Sequence, residues 1–455
     1  PRHPLSRSWI SRATSVHGIQ NFLSRLIIRH LTGLRINVSI DYTHYACQLL
    51  TNRRHGATNA VPFPARRGNL TVSIKLAGPM QHTVQADITA WDEILDHRTG
   101  SSGDAATSAW LASAIAAVGA VPHIDAFSFD RLVPQKCSIT IDEQCLDGVP
   151  LFDCLISPLI EAPLHPLAMG KGIGVTAFSP SAQHPGTEAL LQAREKSLHQ
   201  GIVAISEGGT EGLSLLNADQ FSRAYGPPVL QVDGRHKDSL MRAATNGLTG
   251  RMSFEIDRQS TRASNVQTTI RGKDPSLPPL VIMTPKSAWW TCTAERSGGI
   301  VAWLACIRHF AANPPRRNVL FTANTGHELG HTGLEHYLRE HKNLGASAHA
   351  WIHLGANLAA VDSILRFQPS NDELSTMGIT HLAAVDIHPG SSTSIGTRPG
   401  GEACNIYDEG GQYLSLLGSN RWFHHPDDRW PHSIDLDRIT QITEAVVRIA
   451  KDLAT

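Results

Sequence analysis

The most informative part of this chain is the run Asn318-Val-Leu-Phe-Thr-Ala-Asn-Thr-Gly-His-Glu-Leu-Gly-His-Thr-Gly-Leu-Glu335. Its apolar first half predicts a buried β-strand, and its second half predicts a helix that follows a glycine-containing turn. Strand ends are where α/β folds place their chemistry. His327, Glu328 and His331 stand at this junction. Two imidazoles and a carboxylate there predict a metal site or an acid–base site.

The alternation of strand and helix continues on both sides of this stretch. The run Leu280-Val-Ile-Met283 is continuously apolar, which is typical of a strand buried in a parallel sheet. From about residue 279 onward, predicted strands and helices alternate, and a helix over 434–453 closes the chain. The sequence therefore predicts an α/β fold with a mixed, mostly parallel sheet flanked by helices.

Composition excludes several classes of protein. A chain of 455 residues can hold two or three domains. Lys+Arg and Asp+Glu number 40 each, so no global charge favours a nucleic-acid partner. No apolar run reaches the roughly 20 residues of a membrane span. The 7 cysteines are odd in number, which argues against a disulfide framework and slightly favours the cytoplasm.

The first part of the chain, residues 1–85, has a composition of its own. From Pro1 to Leu70 arginine is frequent, lysine is absent, and Asp41 is the only acidic residue. Such a composition is typical of an organelle transit peptide. We favour a second interpretation, in which residues 1–85 are a basic amino-terminal extension that is either disordered or an artefact.

Five further segments each carry a weak sequence signal, and their order along the chain is informative. They are Arg98–Ala112, Gly201–Ser206, Pro227–Val232, Ser264–Gly272 and the run Phe423-His-His-Pro-Asp-Asp-Arg429. In this order they resemble the zinc exopeptidase family that contains aminopeptidases, glutamate carboxypeptidase II and the transferrin receptor. The resemblance runs from about Trp91 to Leu453. Several weak signals in the correct order carry more weight together than any one motif does.

This resemblance implies a domain organisation. Residues 86–150 and 264–455 would form the exopeptidase-like catalytic domain. Residues 151–263 would form an insertion similar to a protease-associated β/α domain, which leaves and re-enters the catalytic domain at neighbouring points.

The resemblance also implies a set of site residues, with departures from the family pattern. The family holds two zinc ions with a His-x-Asp, a bridging Asp, a Glu-Glu pair, a later Asp and a final His. The His-x-Asp falls on Thr284-Pro-Lys286, whose lysine has no free lone pair while it is protonated. The other positions fall on Glu295, His327-Glu328, His353 and His424, with His425 as a rival for the last.

These matches imply a metal-dependent hydrolase with an altered site. Glu295, Glu328 and His424, with His353 as a further ligand, would hold one zinc ion or none. Lys286 would act as a fixed cation and His327 as the catalytic base. The substrate would be an amide or related bond in a small peptide-like or acyl-amide molecule.

Two alternatives stay open. Family members that lose metal ligands often lose catalysis, so the chain would then be a non-catalytic pseudo-peptidase that acts as a binding or interaction protein. The run His327-Glu-Leu-Gly-His331 also matches the HExxH of zincin-type metalloproteases, in which both imidazoles bind zinc from one helix. The sequence does not decide whether two chains pair as a homodimer.

Overall fold

The structure, a computed structural model, describes residues 78–181 and 184–455. Most of the predicted basic extension, residues 1–77, lies outside the described residues. A helix already starts at Pro79, within the last residues assigned to that extension, and it buries Ile88 and Trp91.

Thirteen strands form one hydrogen-bonded series. They are β1 (His123–Ile141), β2 (Gln144–Pro150), β3 (Leu159–Pro166), β4 (Ile173–Phe178), β5 (Gly201–Ser206), β6 (Val229–Val232), β7 (Thr249–Ile270), β8 (Leu280–Pro285), β9 (Val319–Asn324), β10 (Ala350–Leu354), β11 (Arg366–Pro369), β12 (Ser391–Ser392) and β13 (Tyr413–Leu417).

Ten α-helices lie between and beside these strands in the described part of the chain. They are α1 (Pro79–Glu93), α2 (Ser102–Ala116), α3 (Pro185–Lys196), α4 (Lys237–Thr245), α5 (Thr293–Ala312), α6 (Thr332–Glu340), α7 (Leu344–Ser347), α8 (Asp372–Ala383), α9 (Ala403–Asp408) and α10 (Leu436–Leu453).

The centre of the larger part of the sheet is parallel. Strand β8 pairs in parallel with β9 on one side and with β10 on the other, and β10 pairs in parallel with β13. Every residue of β8 is buried, because helices cover both faces and its apolar run can pack on either side. Helix α5 lies against this centre with Trp303 fully buried. The predicted mixed, mostly parallel sheet with flanking helices is confirmed.

The long strand β7 differs from the prediction. The sequence suggests two strands, over 252–256 and 265–270, whereas one strand runs from Thr249 to Ile270. It pairs with β1 along almost its whole length. Residues 258–262 of β7 are polar and largely exposed, so their hydrophobic pattern fades although the backbone pairing continues.

The smaller part of the sheet contains strands β3 to β6. Strands β4, β5 and β6 are parallel to one another, and β3 joins this group to β7. Strand β5 therefore has no direct pairing with β8. That residues 151–263 form a separate protease-associated-like module stays a prediction.

Within the two described ranges, no helix is both long enough and apolar enough to cross a membrane.

Candidate functional site

The functional residues gather at one edge of the sheet. Strands β8, β9 and β10 are parallel, so their carboxyl ends meet at the same edge. Lys286 and Ser287 follow β8, and His327 and Glu328 follow β9 after a turn at Gly326, whose φ is +75°. Helix α5 begins beside them and carries Glu295 in its first turn.

The guanidinium of Arg296 lies between the two glutamates expected to bind metal. Its Nη2 is 2.8 Å from Oε1 of Glu295 and 2.6 Å from Oε1 of Glu328. Its Nε donates to the carbonyl oxygen of Ser287 at 2.7 Å, which fixes the plane of the group. The hydroxyl of Ser287 donates to the other oxygen of Glu328 at 2.6 Å. One protein cation therefore ties the two carboxylates together.

This arrangement is closed to solvent. Relative exposure is 0% for Glu295, 1% for Arg296 and 2% for Glu328. Burial alone would raise the pKa of Glu295, but the charge of the neighbouring Arg296 opposes burial, and the pKa lies at about 2. The same two glutamates raise the pKa of Arg296 against the effect of its burial. The carboxylate of Glu295 and the guanidinium are thus both charged in the interior.

His424, rather than its rival His425, faces this cluster. Its Nδ1–H donates to the carbonyl oxygen of Leu215 at 2.6 Å, and its Nε2 lies 3.3 Å from Oε1 of Glu295. His425 instead contacts the carbonyl oxygen of Glu211 at 3.1 Å. In a neutral imidazole held in this way, Nε2 carries the lone pair. We call Glu295, Glu328 and His424 the cradle.

Lys286 also pairs inside the protein. Its fully buried ammonium contacts a carboxylate oxygen of Asp104, on the first turn of α2. That carboxylate also accepts from the hydroxyl of Thr325 at 3.1 Å and from the amide of Gly100 at 3.0 Å. The ammonium is therefore already paired within the protein, and the catalytic role of Lys286 stays a prediction.

The HExxH spacing does not have helical geometry. A 3₁₀ turn covers His327–Leu329, His331 is left-handed with φ of +58°, and α6 begins only at Thr332. The rings of His327 and His331 stack with centroids 4.9 Å apart. Nδ1 of His331 lies 2.8 Å from Oδ1 of Asn405. A zincin needs one continuous helix through both imidazoles, so this geometry argues against that alternative.

His327 lies between the buried cluster and the solvent. Its Nδ1 is 3.4 Å from a carboxylate oxygen of Glu402. Burial, followed by the charge of Arg296, lowers its pKa well below the usual value. His353 is buried beside Ser415, 2.8 Å from its hydroxyl, and burial lowers its pKa to about 3. Both rings are therefore neutral at physiological pH.

A cavity of about 1020 Å³ opens in front of these strand ends. Its lining combines polar and apolar side chains and includes His327 and His331, but it includes no member of the cradle. Further polar residues in the lining are Asn217, Asn357, Arg366, Arg398, Asn405 and Arg421.

The residues present do not fit a zinc ion in this arrangement. Among the residues that the structure describes, no three His, Cys, Asp or Glu side chains are grouped to hold a metal ion. The donor types are suitable, because carboxylate oxygens and an imidazole nitrogen are zinc ligands. The space between them, however, holds the guanidinium of Arg296. The assignment of Glu295, Glu328, His353 and His424 as ligands stays a prediction.

Solved structures with the same architecture come from bacterial peptidases. A zinc aminopeptidase from Bacillus subtilis superposes with a TM-score of 0.65 over 82% of this chain and 94% of its own, at 14% identity. The chain has the fold of the zinc aminopeptidases. A peptidase M28 precursor from Shewanella amazonensis gives a TM-score of 0.64 at 13% identity, covering 83% of this chain and 97% of its own. The resemblance predicted from the order of segments is thereby confirmed.

Sequence comparison adds a weaker link to the same fold. The probable glutamate carboxypeptidase AMP1 of Arabidopsis thaliana is 26% identical over 151 residues, which is 31% of this chain. The match spans about a fifth of that protein, 21% of its length. No protein-family model matches the chain.

Within this aminopeptidase fold, sequence reasoning missed two residues that shape the site. Arg296 stands next to Glu295 at the start of a largely apolar helix, and a charged residue there signals a buried partner. Asp104 lies in the first turn of α2, where an acidic residue is common for reasons of helix capping alone. Its pairing with Lys286 joins positions 182 residues apart, which no local pattern reveals.

Proposed function

We propose that this chain binds a small peptide-like molecule in the cavity at the strand ends and does not hydrolyse it by zinc chemistry. The observation that carries this proposal is the closed cradle, in which the guanidinium of Arg296 stands between Glu295 and Glu328. Buried charges need a partner of opposite sign, and here the partner is part of the chain. A ligand in the cavity has no access to these carboxylates.

The cavity has the polar groups that a peptide needs. Asn217 and Asn357 line the cavity, and each carries a side-chain amide. Such amides both donate and accept hydrogen bonds, so they can pair with the peptide groups of a ligand. Arg366 and Arg421, which also line the cavity, can receive a carboxylate.

A panel of dipeptides, tripeptides and acyl amides tests this proposal by isothermal titration calorimetry and by product analysis. We expect saturable binding to part of the panel, no turnover and no stoichiometric zinc. Asn357→Leu should weaken binding about tenfold, as expected when one amide hydrogen bond of about 1.4 kcal/mol is lost. Asp386→Ala, at an exposed position outside the cavity lining, is the control and should bind normally. Zinc-dependent turnover would overturn the proposal.

A single-metal hydrolase is the second candidate. It is favoured by three buried atoms that make no hydrogen bond within the described residues, namely both carboxylate oxygens of Glu295 and Nε2 of His424. Metal ligands make use of such free lone pairs. Lys286 and His327 would then have the roles that the sequence predicts for them. Glu328→Gln would remove both zinc and turnover in that case, and would change neither if the binding function holds.

A further inference from the structure

The cradle is the strongest unexplained feature of the molecule. Two carboxylates and an imidazole nitrogen converge in a place from which water is excluded, with exposures of 0%, 2% and 1% for Glu295, Glu328 and His424. They come from three distant segments: the start of α5, the turn after β9 and the loop after β13. Bringing two carboxylates together in the interior is costly unless a cation compensates them.

The guanidinium of Arg296 compensates the negative charge of Glu295 and Glu328, but it forms few of the hydrogen bonds that their oxygens can accept. Nη2 of Arg296 bonds Glu328 in good geometry, yet its 2.8 Å contact with Glu295 is not aligned as a hydrogen bond, because both oxygens of Glu295 lack a bonded donor among the described residues. Nη1 of Arg296 is likewise buried and unbonded in the part of the chain described. A guanidinium with five planar donors fits this place less well than a spherical ion would.

The third member of the cradle, His424, presents its Nε2 atom to Glu295. The Nδ1–H of His424 is held by the carbonyl oxygen of Leu215, which leaves Nε2 pointing at Glu295. A backbone carbonyl that holds one imidazole nitrogen is the usual support for a metal-binding histidine. Nε2 itself has no hydrogen-bond partner within the described ranges.

We propose that Arg296 is an internal cation that stands in for a metal ion, and that the cradle is a latent divalent-metal site which opens when Arg296 is removed. Without the guanidinium, two buried carboxylates and one imidazole would surround a space that contains no cation. Zinc accepts this donor set at about 2.0–2.2 Å and would restore the charge balance. The guanidinium of Arg296 stabilises the fold in place of a metal ion, whether or not the cavity binds a peptide.

The test compares wild-type protein with Arg296→Ala. Both are purified, incubated with zinc, desalted, and measured for zinc per chain and for melting temperature with zinc or with EDTA. We expect about one zinc per chain in Arg296→Ala, a melting temperature that zinc raises and EDTA lowers, and neither effect in the wild type. Adding His424→Ala to the variant should abolish zinc uptake.

Arg194→Ala is the matched control. Arg194 on α3 is another fully buried arginine, whose Nη2 is 2.7 Å from a carboxylate oxygen of Asp153 in the turn after β2. Its loss also leaves a buried carboxylate, but among the described residues no imidazole faces that carboxylate in an ion pair. It should lower the melting temperature without taking up zinc. Equal zinc uptake by both variants would overturn the proposal, as would a folded Arg296→Ala that takes up none.

A second variant decides the matter if Arg296→Ala does not fold. In Glu295→Gln the internal cation loses one carboxylate, so the melting temperature should fall by the same amount in zinc and in EDTA. If the wild type instead carried a metal in the cradle, it would contain stoichiometric zinc that Glu295→Gln loses, and that result would overturn the inference. Failure to bind any peptide would leave all these outcomes unchanged and would sink only the proposed function.

Discussion

Replacing Lys286 by Met would remove the ammonium that Asp104 faces and keep the length of the side chain. Both residues are buried, with side-chain exposures of 0% and 2%. Removing one partner of a buried ion pair typically costs about 3–5 kcal/mol, because the other charge stays in the interior. Asp104 keeps the amide of Gly100 and the hydroxyl of Thr325 as donors. We therefore expect the lower end of this range, about 3 kcal/mol.

Urea denaturation followed by circular dichroism at pH 7 measures the change in the free energy of unfolding. The double variant Lys286→Met/Asp104→Asn should regain about 1–2 kcal/mol, because the stranded negative charge is gone. Arg448→Met is the control, since its pair with Glu444 is exposed at 45% and 44% and should contribute about 0.5 kcal/mol or less. A cost for Lys286→Met within about 1 kcal/mol of zero, or a double variant as unstable as the single one, would refute this account.

Three further outcomes follow from the geometry. Burial lowers the pKa of both His97 and His353 to about 3. Unfolded imidazoles take up protons near pH 6.5, so the stability that these two rings contribute is full above that pH and is lost towards pH 3, and urea midpoints that stay flat from pH 6 to 4 would contradict this. Burial raises the pKa of Asp428 to about 7, which opposes only one of the two rings over that range. The carboxylate of Asp428 accepts hydrogen bonds from two backbone amides at the start of α5, at 2.9 and 3.0 Å. Asp428→Ala should therefore lower the free energy of unfolding in urea by about 2 kcal/mol, whereas Asp427→Ala, at an exposed side chain, should leave it almost unchanged. Gly330→Ala should lower the melting temperature, because φ is +70° and the added Cβ would lie 2.5 Å from a carbonyl oxygen; an unchanged value in differential scanning calorimetry would count against this turn geometry.

The predictability of the fold depended on where the hydrophobic pattern was continuous. Strands β6 and β10 are buried along their whole length and mostly apolar, so a short window of sequence is enough to indicate them. The exposed middle of β7 has no such pattern, and the strand is held there by its pairing with β1. Tertiary pairing of this kind cannot be seen in a local window.

The candidate site was predictable only in part, for a related reason. The positions of Glu328 and His327 follow from a local strand–turn–helix pattern, and they lie where it predicts. The partners of these residues are set by the fold, since Arg296 and Glu402 reach them across 32 and 75 residues of sequence. Residue types alone suggest which side chains can bind a metal. They do not reveal that a neighbouring guanidinium already neutralises them.

The ribbon formed by β1 and β7 has a mechanical consequence. It pairs with β9 through residues 266–270 and with β3 through residues 249–253, so one uninterrupted strand of 22 residues enters both parts of the sheet. At about 3.3 Å per residue it is roughly 70 Å long. All the hydrogen bonds along a β-ribbon oppose bending together, whereas a loop hinge has no such ladder of hydrogen bonds. Relative motion of the two parts would therefore twist the whole ribbon. Leu215 follows β5 in the smaller part and His424 follows β13 in the larger part, so the same motion would strain the hydrogen bond between them.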